Sequence, residues 1–377
     1  MEQALTVTGI VITFCYALFV LSIFTGLKRL RRPASSDTPR VSIVVAARNE
    51  EANIGNLLNA LAVQDYPSDL CNIIIVNDRS TDKTRSIVEE FALKDSRFSV
   101  IDAEGLPEGY SPKKYALTKG IQKADGEIIV TTDADCVPPP AWVSAMVRYF
   151  EEDVGMVMGF SPLIVQNGGR LFSEYLYIDA MSLAIVAAGG TGWNTGWTCT
   201  GRNLAYRRSV FHEVGGYEEV KDQISGDDDL LLHLVLQKTG WKVRYAAGSD
   251  PVVPSYLQPG FGSFVNQRTR HASKFRVYPL YVKVTALCIF LFYLSLGAYP
   301  VVMAAARQVF PVFVLMLGVK FLLEFLTIRR GAGVLAGRFS VKTFLYAFFV
   351  HPFLIVLFSI RGARGKFTWK DRAFHQK

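Results

Sequence analysis

Apolar residues in the first third of the chain alternate between two patterns. Four short β-branched runs are typical of buried strands, at residues 41–47, 73–76, 98–101 and directly after Glu127. The apolar residues within 54–61 have the spacing of an amphipathic helix, and a second helix is expected at 84–93. Strands that alternate with helices predict an α/β fold with a mostly parallel sheet.

Polar residues cluster where three of these strands end, at 48–51, 77–82 and 132–135. The carboxyl ends of parallel strands meet at one edge of a sheet, and ligands of α/β folds bind beyond that edge. We therefore expect the three clusters to form a single site.

The third cluster contains two aspartates, Asp133 and Asp135, and is followed by a triple proline that forces the chain out of the sheet. Carboxylates this close repel each other, and a divalent cation with hard oxygen ligands, Mg²⁺ or Mn²⁺, relieves the repulsion and also binds phosphates. The alternative is a solvated turn, in which aspartate is only a turn former. A D-x-D motif alone leaves both interpretations open.

Longer apolar runs predict a membrane protein. They lie at 4–26, 284–305, 309–327 and 343–360. Each is close to the roughly 20 residues that a helix needs to cross a bilayer. Four basic residues follow the first run, which by the positive-inside rule places the α/β domain in the cytoplasm: Lys28, Arg29, Arg31 and Arg32. We expect an integral protein of the inner (plasma) membrane.

Two apolar segments are less regular. Four full spans would place a basic tail outside the cytoplasm, so we interpret the last run as re-entrant or interfacial, broken into a hairpin at His351 and Pro352. Residues 177–189 are too short for a span and predict a helix on the membrane surface or in the core. Lys320 and Glu324, four apart on an apolar helix, are expected to form a buried pair.

The polar motifs together resemble a known family. The donor half of family 2 glycosyltransferases is similar to residues 41–50, Val76-Asn77-Asp78-Arg79-Ser80-Thr81-Asp82, Pro112-Lys113-Lys114-Tyr115-Ala116-Leu117 and 132–135. The acceptor half resembles Thr200-Gly201-Arg202-Asn203, Gly226-Asp227-Asp228-Asp229-Leu230 and Gln267-Arg268-Thr269-Arg270-His271. The last segment is similar to the Q-x-x-R-W signature of membrane-bound members such as the cellulose, hyaluronan and ceramide glucosyl transferases, with His271 in place of tryptophan.

The resemblance implies a GT-A fold and inverting transfer from a nucleotide-diphosphate sugar. It implies donor-binding roles for Ala47, Glu50, Asp78, Lys113 and Asp133. Asp133 and Asp135 would hold Mg²⁺ or Mn²⁺ against the departing diphosphate. Without the resemblance, Asp78 is equally a turn residue and Lys113 a solvated surface lysine.

The reaction also needs a base for the acceptor hydroxyl. The resemblance assigns Asp227, with Asp228 as the rival. Three successive aspartates are expected to raise one another's pKa, which suits a base. Alternatively, aspartates cap the helix that starts before Leu230, and Asp229 is the expected structural member.

The remaining candidates would complete the acceptor side. Gln267, Arg268, Arg270 and His271 are expected at the acceptor or diphosphate, because arginine donates two hydrogen bonds to a phosphate. Lys274 and Arg276 are expected at lipid headgroups. Trp193 and Trp197 would stack on a sugar or anchor the protein at the membrane interface.

Composition completes the prediction. The formal net charge of +8 favours membrane lipids and a nucleotide-sugar donor, and nucleic acid is not expected as a partner. We predict an anchor at 1–27, a catalytic domain at 40–275, membrane or re-entrant helices at 278–362 and a basic tail at 363–377. The expected acceptor is a lipid, a lipid-linked group or a saccharide. The alternatives are a processive synthase of a polysaccharide like hyaluronan, cellulose or poly-N-acetylglucosamine, and an inactive membrane scaffold.

Overall fold

The protein, seen in a computed structural model, combines one α/β unit with long apolar helices. The structure describes residues 2–165, 169–257, 260–303, 309–369 and 372–375. The strands are β1 (Val41–Ala47), β2 (Cys71–Asn77), β3 (Phe98–Asp102), β4 (Ile128–Thr131), β5 (Val154–Gly159), β6 (Leu163–Val165), β7 (Leu204–Arg207), β8 (Lys242–Ala246), β9 (Ser255–Leu257), β10 (Lys366–Trp369) and β11 (Arg372–His375). The helices are α1 (Glu2–Leu27), α2 (Ile54–Ala62), α3 (Thr84–Ala92), α4 (Pro112–Lys123), α5 (Trp142–Val147), α6 (Arg170–Thr191), α7 (Arg208–Glu213), α8 (Asp229–Lys238), α9 (Phe261–Ala272), α10 (Leu280–Met303), α11 (Phe310–Val334) and α12 (Val341–Ala363).

Seven strands form the main sheet in the order β3-β2-β1-β4-β7-β5-β8. Its strand pairs are parallel except at β7, which runs antiparallel to both β4 and β5. The predicted α/β class with a mostly parallel sheet is therefore confirmed. The strand order reverses between β1 and β4, and ligands of such sheets bind at that point.

The strands alternate their side chains between two cores. One face carries Ile43 and Ile75 and packs against α2, whereas the other carries Val44 and Val76 and packs against α4. These four side chains are almost fully buried. Successive side chains of a strand point to opposite faces of the sheet, and here both faces are covered. The residues that can contact a ligand are therefore those that follow the strand ends.

Five helices are long and apolar enough to cross a membrane by length and composition: α1, α6, α10, α11 and α12. This set indicates a membrane-associated protein. Helix α6 is longer than the predicted segment 177–189, at 22 residues, because it starts at Arg170 and ends at Thr191. It packs against α1, α11 and α12, so more of it is buried than of the other four.

The predicted break at His351 and Pro352 is wrong, since α12 runs through both residues as one helix. Proline has no N–H, so the carbonyl of Phe348, four residues earlier, loses its usual helical donor. Lys320 of α11 replaces that donor, with Nζ 3.1 Å from the Phe348 oxygen. The same ammonium lies 2.8 Å from Glu324, which confirms the expected buried pair. Of the tail predicted at 363–377, residues 370, 371, 376 and 377 lie outside the described residues.

We expect the Lys320 bond to be needed only because residue 352 is proline. Lys320→Met should cost about 1–3 kcal/mol more in the wild-type background than beside Pro352→Ala, because an alanine at that position supplies its own N–H to the Phe348 carbonyl. Unfolding in detergent of the four proteins in this cycle measures the difference. Equal costs in both backgrounds would mean that Lys320 acts only through Glu324.

Candidate active site

The three polar clusters meet at the carboxyl edge of the sheet, as their strand ends predict. The backbone N–H of Asp78, after β2, donates to the carbonyl of Ala47, the last residue of β1, at 2.8 Å. The N–H of Glu50 donates to the Thr84 hydroxyl at 2.8 Å and fixes the first cluster to the start of α3. Asp78 is only 3% exposed and accepts from Nε of Arg79 at 2.9 Å.

The two aspartates after β4, Asp133 and Asp135, have different environments. Asp135 is mostly buried and accepts from the Ser255 hydroxyl at 3.3 Å. Burial, followed by the nearby charge of Asp133, raises the pKa of Asp135 to about 6. The carboxylate of Asp133 is a third exposed. The pair therefore places two like charges at the sheet edge, and Lys113 contacts only one of them, Asp133.

The carboxylate oxygens of Asp133 and Asp135 suit a hard divalent cation, and a bound substrate would supply further ligands to it. Among the described residues, no three histidine, cysteine, aspartate or glutamate side chains converge to hold a metal. Mg²⁺ and its analogues often take only one or two carboxylates from the protein and fill the remaining positions with water and substrate phosphates. Asp133 and Asp135 provide two such carboxylates.

Lys113 joins two aspartates that lie far apart in the sequence. Its Nζ is 2.8 Å from Oδ1 of Asp133 and 2.8 Å from Oδ2 of Asp227. Burial lowers the pKa of Lys113, but Asp133 and Asp227 more than offset this, so the pKa is raised overall and the ammonium stays charged. Gly201 makes the arrangement possible, because a Cβ there would lie 2.9 Å from Oδ2 of Asp227. The sequence motif did not single out this glycine.

Lys113, Asp133, Gly201 and Asp227 line a cleft of about 130 Å³ that opens to solvent, which we call the catalytic cleft. Eight of the predicted site residues line it: Lys113, Asp133, Asp227, Asp228, Gln267, Arg268, Arg270 and His271. The others do not line it: Ala47, Glu50, Asp78, Asp135, Trp193 and Trp197. Ala47, Glu50, Asp78 and Asp135 lie at the neighbouring strand ends. The catalytic cleft therefore starts beside them and extends from the sheet edge toward the long helices.

The three successive aspartates have different environments. Asp228 caps α8 and accepts from the N–H groups of Asp229 at 2.7 Å and Gly201 at 2.9 Å. Asp229 is 4% exposed and bonds Lys274 at 2.6 Å and Tyr278 at 2.5 Å. Asp227 has Lys113 as its charged partner, and its carboxylate lies in the cleft wall.

The environment of Asp229 corrects two expectations. Burial raises its pKa, but Lys274 more than offsets this, so the pKa of Asp229 is lowered rather than raised by its aspartate neighbours. Lys274 was expected at the membrane and is instead 3% exposed inside the protein. A lysine next to a basic run looks like a headgroup ligand in sequence, and only the fold brings it to an aspartate 45 residues away.

Helix α9 closes the far side of the cleft with its basic residues. Arg268 forms a buried ion pair with Asp179 of α6, and burial lowers its pKa to about 10. His271 is deprotonated at neutral pH, because burial and then the charge of Lys274 lower its pKa well below the usual value. The sequence did not reveal Asp179, since it lies within an apolar helix.

The two tryptophans lie away from the catalytic cleft. Trp193 is exposed, donates to the Ser22 carbonyl and has the guanidinium of Arg29 stacked 3.8 Å from its ring. Trp197 packs edge-on against Phe19 and Tyr281. Of the two expected uses, sugar stacking in the cleft does not fit either residue, whereas both contact the membrane helices or their ends.

Lys114 is a structural residue that the motif analysis missed. It is fully buried, and its Nζ donates to the carbonyls of Val220, Gln223 and Ser225 at 2.6–2.9 Å. Burial lowers its pKa to about 8. These bonds fix the loop that leads into Asp227.

Lys114→Met is expected to lower the free energy of unfolding by about 2–4 kcal/mol, because the carbonyls of Val220, Gln223 and the buried Ser225 lose their partner. Lys123→Met on the same helix is the matched control, since Lys123 is exposed. Denaturant unfolding of both variants in detergent measures the difference. Equal stability of the two variants would contradict the role of Lys114 in holding the loop.

Comparison with known proteins finds a family model that matches part of the chain. Residues 42–215 match the family model described as glycosyl transferase family 2. A probable glycosyltransferase of Bacillus subtilis is 29% identical over 217 residues, which are 57% of this chain and 50% of that protein. A β-monoglucosyldiacylglycerol synthase of Nostoc is 30% identical over 229 residues, which are 59% of this chain and 46% of that protein. The chain thus spans about half the length of these relatives.

A solved structure establishes the fold. The mannosyltransferase of Pyrobaculum calidifontis, in complex with GDP-Man and Mn²⁺, superposes with a TM-score of 0.58 at 20% sequence identity. The match covers 95% of this chain and 99% of that one, so it includes the long helices as well as the sheet. The predicted GT-A fold is confirmed.

Proposed function

We propose that this chain, which belongs to glycosyl transferase family 2, moves a hexosyl group from a nucleotide-diphosphate sugar to a lipid or lipid-linked acceptor with inversion. The nucleotide is proposed to be UDP. The observation that carries the proposal is the position of Lys113, which lies between Asp133 at the sheet edge and Asp227 in the cleft. In this proposal, Asp133 would serve the departing diphosphate on one side of the Lys113 ammonium, and Asp227 would serve as the base on the other side.

The donor is proposed to bind at the carboxyl edge of the sheet. Asp78 would contact the nucleobase or ribose, with Ala47 and Glu50 beside it, because these residues meet at the strand ends. Asp133 and Asp135 would hold Mg²⁺ or Mn²⁺, which when bound supplies positive charge for the diphosphate. The Mn²⁺ and GDP-Man named for the Pyrobaculum mannosyltransferase support this choice. Lys113 adds a second fixed positive charge beside the same oxygens.

Asp227 is proposed to be the general base. It would take the proton of the acceptor hydroxyl as that oxygen bonds to the anomeric carbon and the bond to the diphosphate breaks. The other two aspartates fit this role less well, since Asp228 already accepts two backbone N–H groups and Asp229 is buried in an ion pair. Arg270 and Gln267 are proposed to position the acceptor or the diphosphate across the cleft.

The acceptor is proposed to come from the membrane. The long helices 1–27 and 278–362 would hold the catalytic domain, 40–275, at the cytoplasmic face of the inner membrane, in accord with the basic residues after the first helix. The name of the Nostoc relative, a synthase of a glucosylated diacylglycerol, supports a lipid acceptor.

A donor panel tests the proposed function. Purified protein in detergent is incubated with radiolabelled nucleotide sugars, Mg²⁺ or Mn²⁺ and a membrane lipid extract. We expect label in a short, organic-soluble glycolipid. Label in an insoluble polymer would instead identify a polysaccharide synthase, and no turnover of any donor would identify an inactive scaffold.

A further inference from the structure

A second, larger cavity lies among the long helices. It has a volume of about 410 Å³ and is lined mainly by apolar side chains of α1, α6, α10, α11 and α12. We call it the membrane cavity and define it by Val20, Ile178, Ile289, Phe348 and Ile355. A cavity of this size that leads outward between apolar helices fits an elongated apolar ligand.

The membrane cavity adjoins the catalytic cleft. Leu183, Thr198 and Arg268 line both spaces, and we call these three residues the threshold. Arg268 is fixed there by its ion pair with Asp179, which itself faces the membrane cavity. Of the described side chains, only these three are common to the walls of the membrane cavity and of the cleft that contains Asp227, so a molecule in the membrane cavity lies next to the cleft.

Two polar atoms in the cavity wall have no partner in the described structure. The hydroxyl of Thr327 is buried on an otherwise apolar stretch of α11 and makes no hydrogen bond. Nε of Arg268 is also buried without an acceptor. Buried polar groups are normally satisfied, so these two donors beside one cavity fit a ligand with acceptor oxygens that reaches them when the side chains covering them shift. Ester or hydroxyl oxygens on an otherwise apolar body have this chemistry.

The proposed base, Asp227, favours an acceptor with a free hydroxyl over a phosphate. The cleft wall holds five basic side chains and four aspartates: Lys113, Arg202, Arg268, Arg270 and Lys274 against Asp133, Asp227, Asp228 and Asp229. Arg268 and Lys274 are paired with Asp179 and Asp229. A phosphate acceptor is already ionised at neutral pH and needs no base, whereas a hydroxyl does.

We propose that the membrane cavity binds the acceptor, a neutral acylated lipid of the diacylglycerol type with a free hydroxyl. This hydroxyl extends past the threshold residues to Asp227. The acyl chains lie among the long helices, an ester oxygen accepts from Thr327, and Arg268 is a positioning residue at the entrance to the cleft. This proposal rests on the proposed function and adds the chemical class of the acceptor.

Binding is tested without turnover. Trp197 lines the membrane cavity, so a diacylglycerol with brominated acyl chains should quench its fluorescence at a low, saturable mole fraction in detergent. Trp197→Phe should abolish the saturable component. Ala286→Phe fills the cavity and should weaken binding about tenfold, whereas Ala298→Phe, exposed on the same helix, should not. Quenching that is unsaturable or equal in both alanine variants overturns the proposal.

Transfer then identifies the acceptor class. With dioleoylglycerol we expect Ala286→Phe to raise the acceptor KM about tenfold, and Thr327→Val about 3- to 10-fold, with little change in kcat. Thr327→Val should not reduce stability, which separates loss of a ligand bond from loss of a structural one.

Each other outcome has a distinct meaning. Labelling of undecaprenyl phosphate but not dioleoylglycerol overturns the neutral acceptor. Glycolipid formation with an unchanged KM in Ala286→Phe overturns the cavity while the proposed function stands. Saturable quenching without transfer to any lipid overturns the proposed function and, with it, the assignment of the bound lipid as acceptor.

Discussion

Asp227→Asn is expected to lower kcat by about 10²- to 10⁴-fold while the nucleotide sugar still binds, because an amide cannot take the acceptor proton. The side chain keeps its size and can still accept a hydrogen bond from Lys113, which lies 2.8 Å from the carboxylate. Single-turnover transfer from a radiolabelled donor measures the chemical step, and calorimetry measures donor affinity.

Asp228→Asn is the matched control for this substitution. In the wild type, Oδ1 of Asp228 accepts from the N–H of Asp229 and Oδ2 accepts from that of Gly201. The single amide oxygen of asparagine can keep one of these two bonds, so the substitution removes the charge and one backbone bond but no contact with Lys113. We expect a much smaller loss of kcat than in Asp227→Asn. The reverse order of the two losses would move the base to Asp228.

Removal of divalent cations is expected to reduce transfer to background, and Mg²⁺ or Mn²⁺ should restore it. Asp133 and Asp135 repel each other at the sheet edge, and the diphosphate brings further negative charge that Lys113 alone does not neutralise. Asp135→Asn should raise the ion concentration needed for half-maximal rate by about tenfold or more.

The exposed aspartate Asp153 provides a control remote from the sheet edge, since it pairs with Lys242 beside β8. Asp153→Asn should keep the wild-type dependence on the ion. Full activity of the wild type in excess chelator would contradict metal assistance, and the diphosphate would then depend on Lys113 and the arginines of α9.

The sheet and its edge could be predicted because their signals are local. A β-branched run such as 41–47 forms a strand whatever follows it, and the position of the polar cluster after it depends only on the strand's direction. Parallel pairing of β1 with β2 and β4 then brings Ala47, Asp78 and Asp133 together.

The errors concern contacts between distant elements. The predicted helix ended at Gly189, but this glycine lies inside α6. A Cβ at Gly189 would lie 2.7 Å from Ile23, so the glycine allows α6 to pack closely against α1. Pro352 suggested a break, but Lys320 satisfies the carbonyl that the proline frees.

The pairings inside the site were equally invisible in the sequence. Lys113, Lys114 and Lys274 are each a lysine in a polar segment, yet the first joins two aspartates, the second holds a loop and the third neutralises Asp229. Which partner a long, flexible cation meets is decided by the packing of α4, α8 and α9, not by its neighbours in sequence.

The configuration of the new glycosidic bond tests the central claim, that Asp227 deprotonates an acceptor hydroxyl which attacks the anomeric carbon from the side opposite the diphosphate. Proton NMR of the purified product gives this configuration through the coupling constant of the anomeric proton. With an α-linked nucleotide sugar, we expect a β-linked product. An α-linked product would contradict it, because retention requires a second displacement or a different mechanism.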